Sequence, residues 1–242
     1  MSTIEKALAK QKEAAQKKQV QPVVAPKHEE KTPIISSSIN TAATVADIQY
    51  SEHEDKETII LNGETLTERG FIYNADSAHH IQEEFRHIKR KLLHNAFGPA
   101  AKTLKHSNLI MVSSSNPNEG KTFISINLAL SIALEQEKTV LLIDADVLRP
   151  SLHRELEFES KKGLLEYLLD EVHSLSDVIY NTSIPSLKLI PAGKPHHLTN
   201  ELLASSRMEE LAKELAERYP DRLVIFDCPP ILGVTETPVL SD

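Results

Sequence analysis

Residues 109–122 read Leu-Ile-Met-Val-Ser-Ser-Ser-Asn-Pro-Asn-Glu-Gly-Lys-Thr, an apolar run that breaks into a small polar loop ending in Gly120-Lys121-Thr122. An apolar run this short, closed by a turn, reads as a buried strand. The stretch after the loop is apolar on almost every side, with Ile124, Ile126, Leu128, Leu130, Ile132 and Leu134 in close succession, and reads as an interior helix. The two together predict a strand that delivers a tight loop to a helix N-terminus. Backbone N–H groups of such a loop wrap phosphates, a lysine ammonium reaches their outer oxygens, and a threonine hydroxyl can ligate Mg²⁺. The candidate cofactor-binding residues are therefore Ser115, Asn116, Pro117, Asn118, Glu119, Gly120, Lys121, Thr122 and Phe123. The common pattern for such loops begins with glycine, and here Ser115 stands in that place. Glycine allows unusual backbone angles, so serine there requires a slightly different turn.

Two further apolar runs end in aspartate: Val140-Leu-Leu-Ile-Asp144-Ala-Asp146 and Leu223-Val-Ile-Phe-Asp227-Cys-Pro-Pro230. Asp144 and Asp146 would project to the same side if the strand continues through both. Pro229 and Pro230 end any strand pairing after Asp227. Carboxylates at the carboxyl edge of an open α/β sheet lie where such sheets bind ligands. There they can hold Mg²⁺, usually through its waters, or accept a proton from a nucleophile.

From Ser107 onward strands and helices alternate. The expected strands are Leu109–Val112, Thr139–Ile143, Leu187–Ile190 and Leu223–Phe226. The expected helices are Lys121–Glu135, Gly163–Asp170, a short one near Leu175–Ile179, and one or two between Thr199 and Arg218, with Ser206 and Glu209 reading as a capping box. Strands apolar throughout, alternating with helices, predict a parallel sheet covered on both faces. The fold class is α/β, a doubly wound, mostly parallel sheet of the P-loop NTPase type.

The first 75 residues differ in kind and are expected to form an N-terminal helix and a flexible tether, leaving 76–242 as the P-loop domain. The stretch from Ile4 is rich in helix formers, whereas Gln19 to Lys56 offers little to bury. Between Ser77 and Phe97, Ile81, Phe85, Ile88 and Leu92 recur at helical spacing. His80, His87 and His94 on this helix lie two turns apart, too far to share one metal ion. A net charge of -8 argues against a general nucleic-acid binder. No apolar stretch approaches the roughly 18 residues of a membrane span. A lone cysteine fits a reducing compartment, and the expectation is a cytoplasmic protein.

The loop, Val140-Leu-Leu-Ile-Asp-Ala-Asp-Val-Leu-Arg-Pro-Ser-Leu and Val224-Ile-Phe-Asp-Cys-Pro-Pro together resemble the Walker A, Walker A′ and Walker B motifs of the bacterial tyrosine kinases (BY-kinases) of polysaccharide export. The opening Met-Ser-Thr-Ile-Glu-Lys-Ala, the helix Glu-Glu-Phe-Arg-His-Ile-Lys-Arg and Glu201-Leu-Leu-Ala-Ser-Ser-Arg-Met are similar to the exosortase-associated autokinases among them. The resemblance implies an ATP-dependent protein-tyrosine autokinase of exopolysaccharide synthesis, with ATP and Mg²⁺ as cofactors. It assigns Lys121, Asp144 and Asp146 to catalysis, and Thr122, Asp144 and Asp227 to the metal. It also implies homo-oligomers joined through Glu83, Arg86 and Lys89, where the family pattern has arginine at the third position. The implied partners are ATP, tyrosines of itself or another protein, and a membrane chain-length or adaptor protein as activator, which extends the location to the inner face of the plasma membrane.

Two departures bear on that reading. Leu148 stands where the family often has arginine, with Arg149 one place later. The family's tyrosine cluster at the C-terminus is absent, since Tyr50, Tyr73, Tyr167, Tyr180 and Tyr219 are scattered, and the chain is expected to be truncated at Asp242. The alternatives are a partitioning or site-positioning ATPase and a non-catalytic regulatory fragment. The former usually carries an extra lysine early in the loop, and Ser113 to Glu119 contains none.

Overall fold

The computed structural model describes residues 57–73, 79–134, 138–197 and 199–232. The helix expected from Ile4, and the tether as far as Lys56, lie outside the described residues.

Among the described residues six strands form one sheet: β1 (Thr58–Ile59), β2 (Leu109–Val112), β3 (Thr139–Asp144), β4 (Tyr180–Thr182), β5 (Leu187–Ile190) and β6 (Arg222–Asp227), in the order β1-β4-β5-β3-β6-β2. Strands β5, β3, β6 and β2 are mutually parallel. β4 runs antiparallel to β5, and β1 runs parallel to β4. In order along the chain the described α-helices are α1 (Gly63–Glu68), α2 (His79–Phe97), α3 (Lys121–Ala133), α4 (Leu152–Glu155), α5 (Leu164–Leu168), α6 (Thr199–Leu203) and α7 (Ser206–Arg218). The short helix expected near Leu175–Ile179 is a 3-10 turn at Leu175–Val178. Among the described residues no helix is long and apolar enough to cross a membrane.

The unbroken apolar runs of β3 and β6 follow from burial on both faces of the sheet. Successive strand side chains point to opposite faces. Val140, Leu142, Leu223 and Ile225 enter a core shared with α2 and α3, whereas Leu141, Ile143, Val224 and Phe226 enter a second core with α5 and α7. Each such side chain contributes roughly 1.5–3 kcal/mol on leaving water. Helix α3 is buried from Ser125 to Ala133 against this sheet, so it has no polar face to display.

All four expected parallel strands are present. The structure adds elements where a tether was expected to run to residue 75. Ile59, Leu61, Leu66, Phe71 and Ile72 are buried in the first core, and Ile60 between the first two is exposed. This alternation is strand periodicity too short to stand out, and its pairing is non-local: the Leu61 N–H donates to Ser183 Oγ at 3.0 Å across 122 positions. Helix α1 is capped by Asn62, whose side chain accepts from the Glu64 and Thr65 N–H groups, a signal present in the sequence.

Two local expectations are corrected. Helix α7 opens on Ser205, one residue before the expected capping box, and makes no side-chain cap; Ser205 Oγ donates to Leu202 O instead. On α2 the buried seam includes Phe85, Lys89 and Ala96, while Ile88 is 43% exposed. The seam follows four-residue steps from Ile81 to Phe85 to Lys89, and Ile88 falls beside it.

Candidate active site

Strand register builds the site. Val112, Asp227 and Asp144 are aligned across β2, β6 and β3, so the loop after β2 and both strand-end carboxylates emerge in one row. Positive φ angles occur at Asn118 (65°) and at Gly120 (90°), the residue that opens α3. Ser115 has no such angle, and this is how the loop dispenses with glycine there. Instead the Ser115 and Asn116 N–H groups donate to Glu119 Oε2 at 2.8 and 3.0 Å, and Asn116 Nδ2 donates to Oε1. These bonds, the Asn116 side chain first, hold the Glu119 carboxyl below its ordinary range.

A groove of about 970 Å³ runs along the loop. Pro117, Asn118, Gly120, Lys121, Thr122 and Phe123 line it. Ser115, Asn116 and Glu119, expected in the same set, are engaged with one another at the loop's start. Lys121 Nζ lies 2.6 Å from Asp146 Oδ2, both nearly buried. Thr122 Oγ1 is 2.8 Å from Ser151 Oγ, and Ser125 Oγ donates to Asp227 Oδ1 at 3.2 Å.

The two aspartates expected to point together take different partners, because β3 ends at Asp144. Asp146 turns to Lys121 and the groove. Asp144 Oδ2 accepts from the Ser151 and Leu152 N–H groups, each at 3.1 Å, and Asp144 lines a separate hollow of about 200 Å³ with His153 and Pro191. Burial, then the neighbouring Asp227, pushes the Asp144 carboxyl up to about 8. Asp227 is likewise raised by burial, and Lys121 opposes the shift. Asp144 Oδ1 and Asp227 Oδ2 are buried without hydrogen-bond partners.

Those orphaned oxygens fit a cation. Buried carboxylate oxygens are costly when unpaired, and Mg²⁺ is held by one or two carboxylates together with substrate phosphates and water. Among the described residues no three His, Cys, Asp or Glu side chains form a ready-made cage, and a Mg²⁺ site of that kind needs none.

Several contributors were not expected from sequence. Ser151 joins Thr122 to the backbone that holds Asp144; Pro150 before it and Leu152 after it were the available signal. Arg69 and Phe71 line the groove from the segment taken as tether, and the Phe71 ring packs 5.4 Å from that of Phe123. Leu148 and Arg149 both line the groove. The set Glu83, Arg86 and Lys89 is divided: Glu83 and Arg86 pair with each other at 2.7 Å on the surface. Lys89 is turned inward and donates to Ser131 O at 3.0 Å. Three-residue steps on a helix drift by about 60° each, so the third residue leaves the face of the first.

A strand, phosphate-type loop and helix with acidic ends on the neighbouring strands define a P-loop α/β nucleotide-binding domain. The AAA domain model matches residues 107–241, and the chain belongs to that family, in the group of bacterial tyrosine-kinase domains. It is 40% identical over 135 residues to the tyrosine-protein kinase ptk of Acinetobacter johnsonii, a match covering 56% of this chain and 18% of that protein. The kinase domain of the Escherichia coli tyrosine kinase ETK has a similar structure, with a TM-score of 0.60, 29% identity and coverage of 79% of this chain and 68% of that one. The VpsO kinase domain aligns with a TM-score of 0.50 and 30% identity, over 67% of this chain and 78% of that one. The chain spans less than a fifth of the length of the first curated relatives it matches, at 17–18%.

Proposed function

We propose that this domain is an ATP-dependent protein-tyrosine kinase that phosphorylates itself or a neighbouring protein in the control of exopolysaccharide synthesis. The observation that carries the reading is the convergence of Lys121, Asp146, Thr122, Asp144 and Asp227 at one sheet edge, in a chain whose relatives are tyrosine kinases. The loop N–H groups and Lys121 bind the terminal phosphates of ATP, and Asp146 keeps the ammonium oriented toward the groove. Thr122, Asp144 and Asp227 would hold Mg²⁺, which supplies neutralisation of phosphate charge when bound. The tyrosine hydroxyl oxygen bonds to the γ-phosphorus as the bond to ADP breaks, and Asp146, the carboxylate that lines the groove, accepts the phenolic proton. The finer attributes rest on the resemblance: homo-oligomers, a membrane adaptor as activator, and a cytoplasmic position at the inner membrane face.

Incubation of the chain with Mg·ATP and a tyrosine-containing polypeptide tests the activity. Phosphotyrosine is expected with the wild type and is lost in Lys121→Met. Its absence from the wild type, or its undiminished presence in the variant, refutes the reading.

A further inference from the structure

Helix α4 is a single turn, and a helix so short does not hold itself in water. Its N-terminal end is fixed by Asp144, which accepts from the Ser151 and Leu152 N–H groups. Its C-terminal end is fixed by a residue more than 80 positions earlier. Arg69 Nη1 donates to Arg154 O at 3.0 Å and to Glu155 O at 3.4 Å, and Nη2 lies 2.6 Å from Glu157 Oε1. The Glu155 carboxylate adds an ion pair at 3.5 Å. Carbonyls at a helix end lack partners within the helix, and a planar guanidinium can serve several at once where an ammonium cannot. Glu157, which takes this contact, also has a left-handed φ of 53°, a conformation that needs support in a residue other than glycine.

Arg69 is itself anchored to the helix that carries Lys121 and Thr122. Its own N–H closes α1 on Thr65 O. Two residues on, Phe71 packs on Phe123, and the Ile72 N–H donates to Asn127 Oδ1 at 2.8 Å. Asn127 Nδ2 in turn donates to Phe123 O. The segment 57–73 therefore ties α4 to the first turns of α3.

We infer that Arg69 is a positioning residue for Asp144: by pinning the far end of α4 it holds the Ser151 and Leu152 amides where they orient the aspartate relative to Lys121. The kinetic consequence rests on the phosphotransfer reading, whereas the structural consequence does not. Arg69 is partly exposed, and half-exposed ion pairs add little to global stability, so its variants fold.

The test compares wild type, Arg69→Gln, Arg69→Lys and Glu157→Gln of the full chain by hydrogen exchange, with nucleotide affinity and turnover measured alongside. In Arg69→Gln the amides of 151–157 are expected to exchange roughly tenfold faster while those of 121–130 keep their protection. The lysine variant falls between, since it keeps charge and loses the fork. Turnover falls about tenfold with KM for ATP within about twofold, because the loop is undisturbed and the aspartate is not. Wild-type exchange at 151–157 in Arg69→Gln overturns the inference. Should that variant exchange faster throughout, Glu157→Gln decides: a rise confined to 151–157 supports the inference, and no rise overturns it. A wild type without kinase activity sinks the functional reading alone, because the exchange result is read independently of turnover.

Discussion

Asp144 places an acid almost wholly out of water, and its removal should show that cost as pH-dependent stability. The folded carboxyl titrates near 8, against 3.8 for the ordinary side chain. Between these values the native state keeps a proton that the unfolded chain has released. Stability therefore falls as pH rises through that window and levels off above it. At about 1.4 kcal/mol per pH unit, the ceiling at pH 7 is roughly 4 kcal/mol, and relaxation around the site brings the expectation to about 2–4 kcal/mol. Asparagine is nearly isosteric, can still accept from the Ser151 and Leu152 N–H groups, and carries no titration. Asp144→Asn should thus be more stable than the wild type by about 2–4 kcal/mol at pH 7 and by less than about 1 kcal/mol at pH 4. Urea melts at several pH values without nucleotide measure the difference, and carboxylates remote from Asp144, Asp146 and Asp227 cancel between the two proteins. A difference independent of pH, or an asparagine variant less stable at pH 7, would refute the reasoning. The second outcome would mean that the amide pair holds an ionised Asp144.

Two other consequences are open to simple measurement. Glu166 is buried and accepts from the Gly163 N–H at 2.6 Å and the Lys194 N–H at 2.9 Å. Glu166→Ala orphans both donors and should cost about 3 kcal/mol in a urea melt, so a loss below about 0.5 kcal/mol would contradict this accounting. Cys228 is fully buried, with its thiol pushed up to about 12 by burial and then by Asp227. A thiol reagent at pH 8 should leave the native chain unlabelled and react fully in denaturant; rapid labelling in native buffer would contradict the burial.

The parts of the fold legible in the sequence are those whose pattern is local. β2, β3, β5 and β6 stand out because burial on both faces leaves mostly apolar residues in each run. Asp144, Asp146 and Asp227 are legible because each ends or closely trails such a run, and Lys121 because it closes the Gly-Lys-Thr loop at the start of α3. The rest depends on partners far along the chain. β1 is two residues long and β4 three, and each takes its place from strands rather than from periodicity of its own. Lys89 carries a charge that the resemblance implies for an interface, yet its stem continues the buried seam of α2 and its ammonium finds the Ser131 carbonyl. The separation of Asp144 from Asp146 was hidden because it depends on where β3 stops, and Arg69 because its partners, the end carbonyls of α4 and the carboxylates of Glu155 and Glu157, lie more than 80 positions away.

The strap of residues 57–73 has a consequence for how the molecule is made. It leaves the ribosome before everything it binds: Asn127 for Ile72, Glu157 for Arg69, and Ser183 for Leu61. Contacts of such long separation close slowly, because the intervening chain must first be brought to order. The strap's order of docking is thus the reverse of its order of synthesis. The segment synthesised before the phosphate loop completes the groove wall only after the sheet behind it exists, so the earliest piece of this domain is among the last to settle.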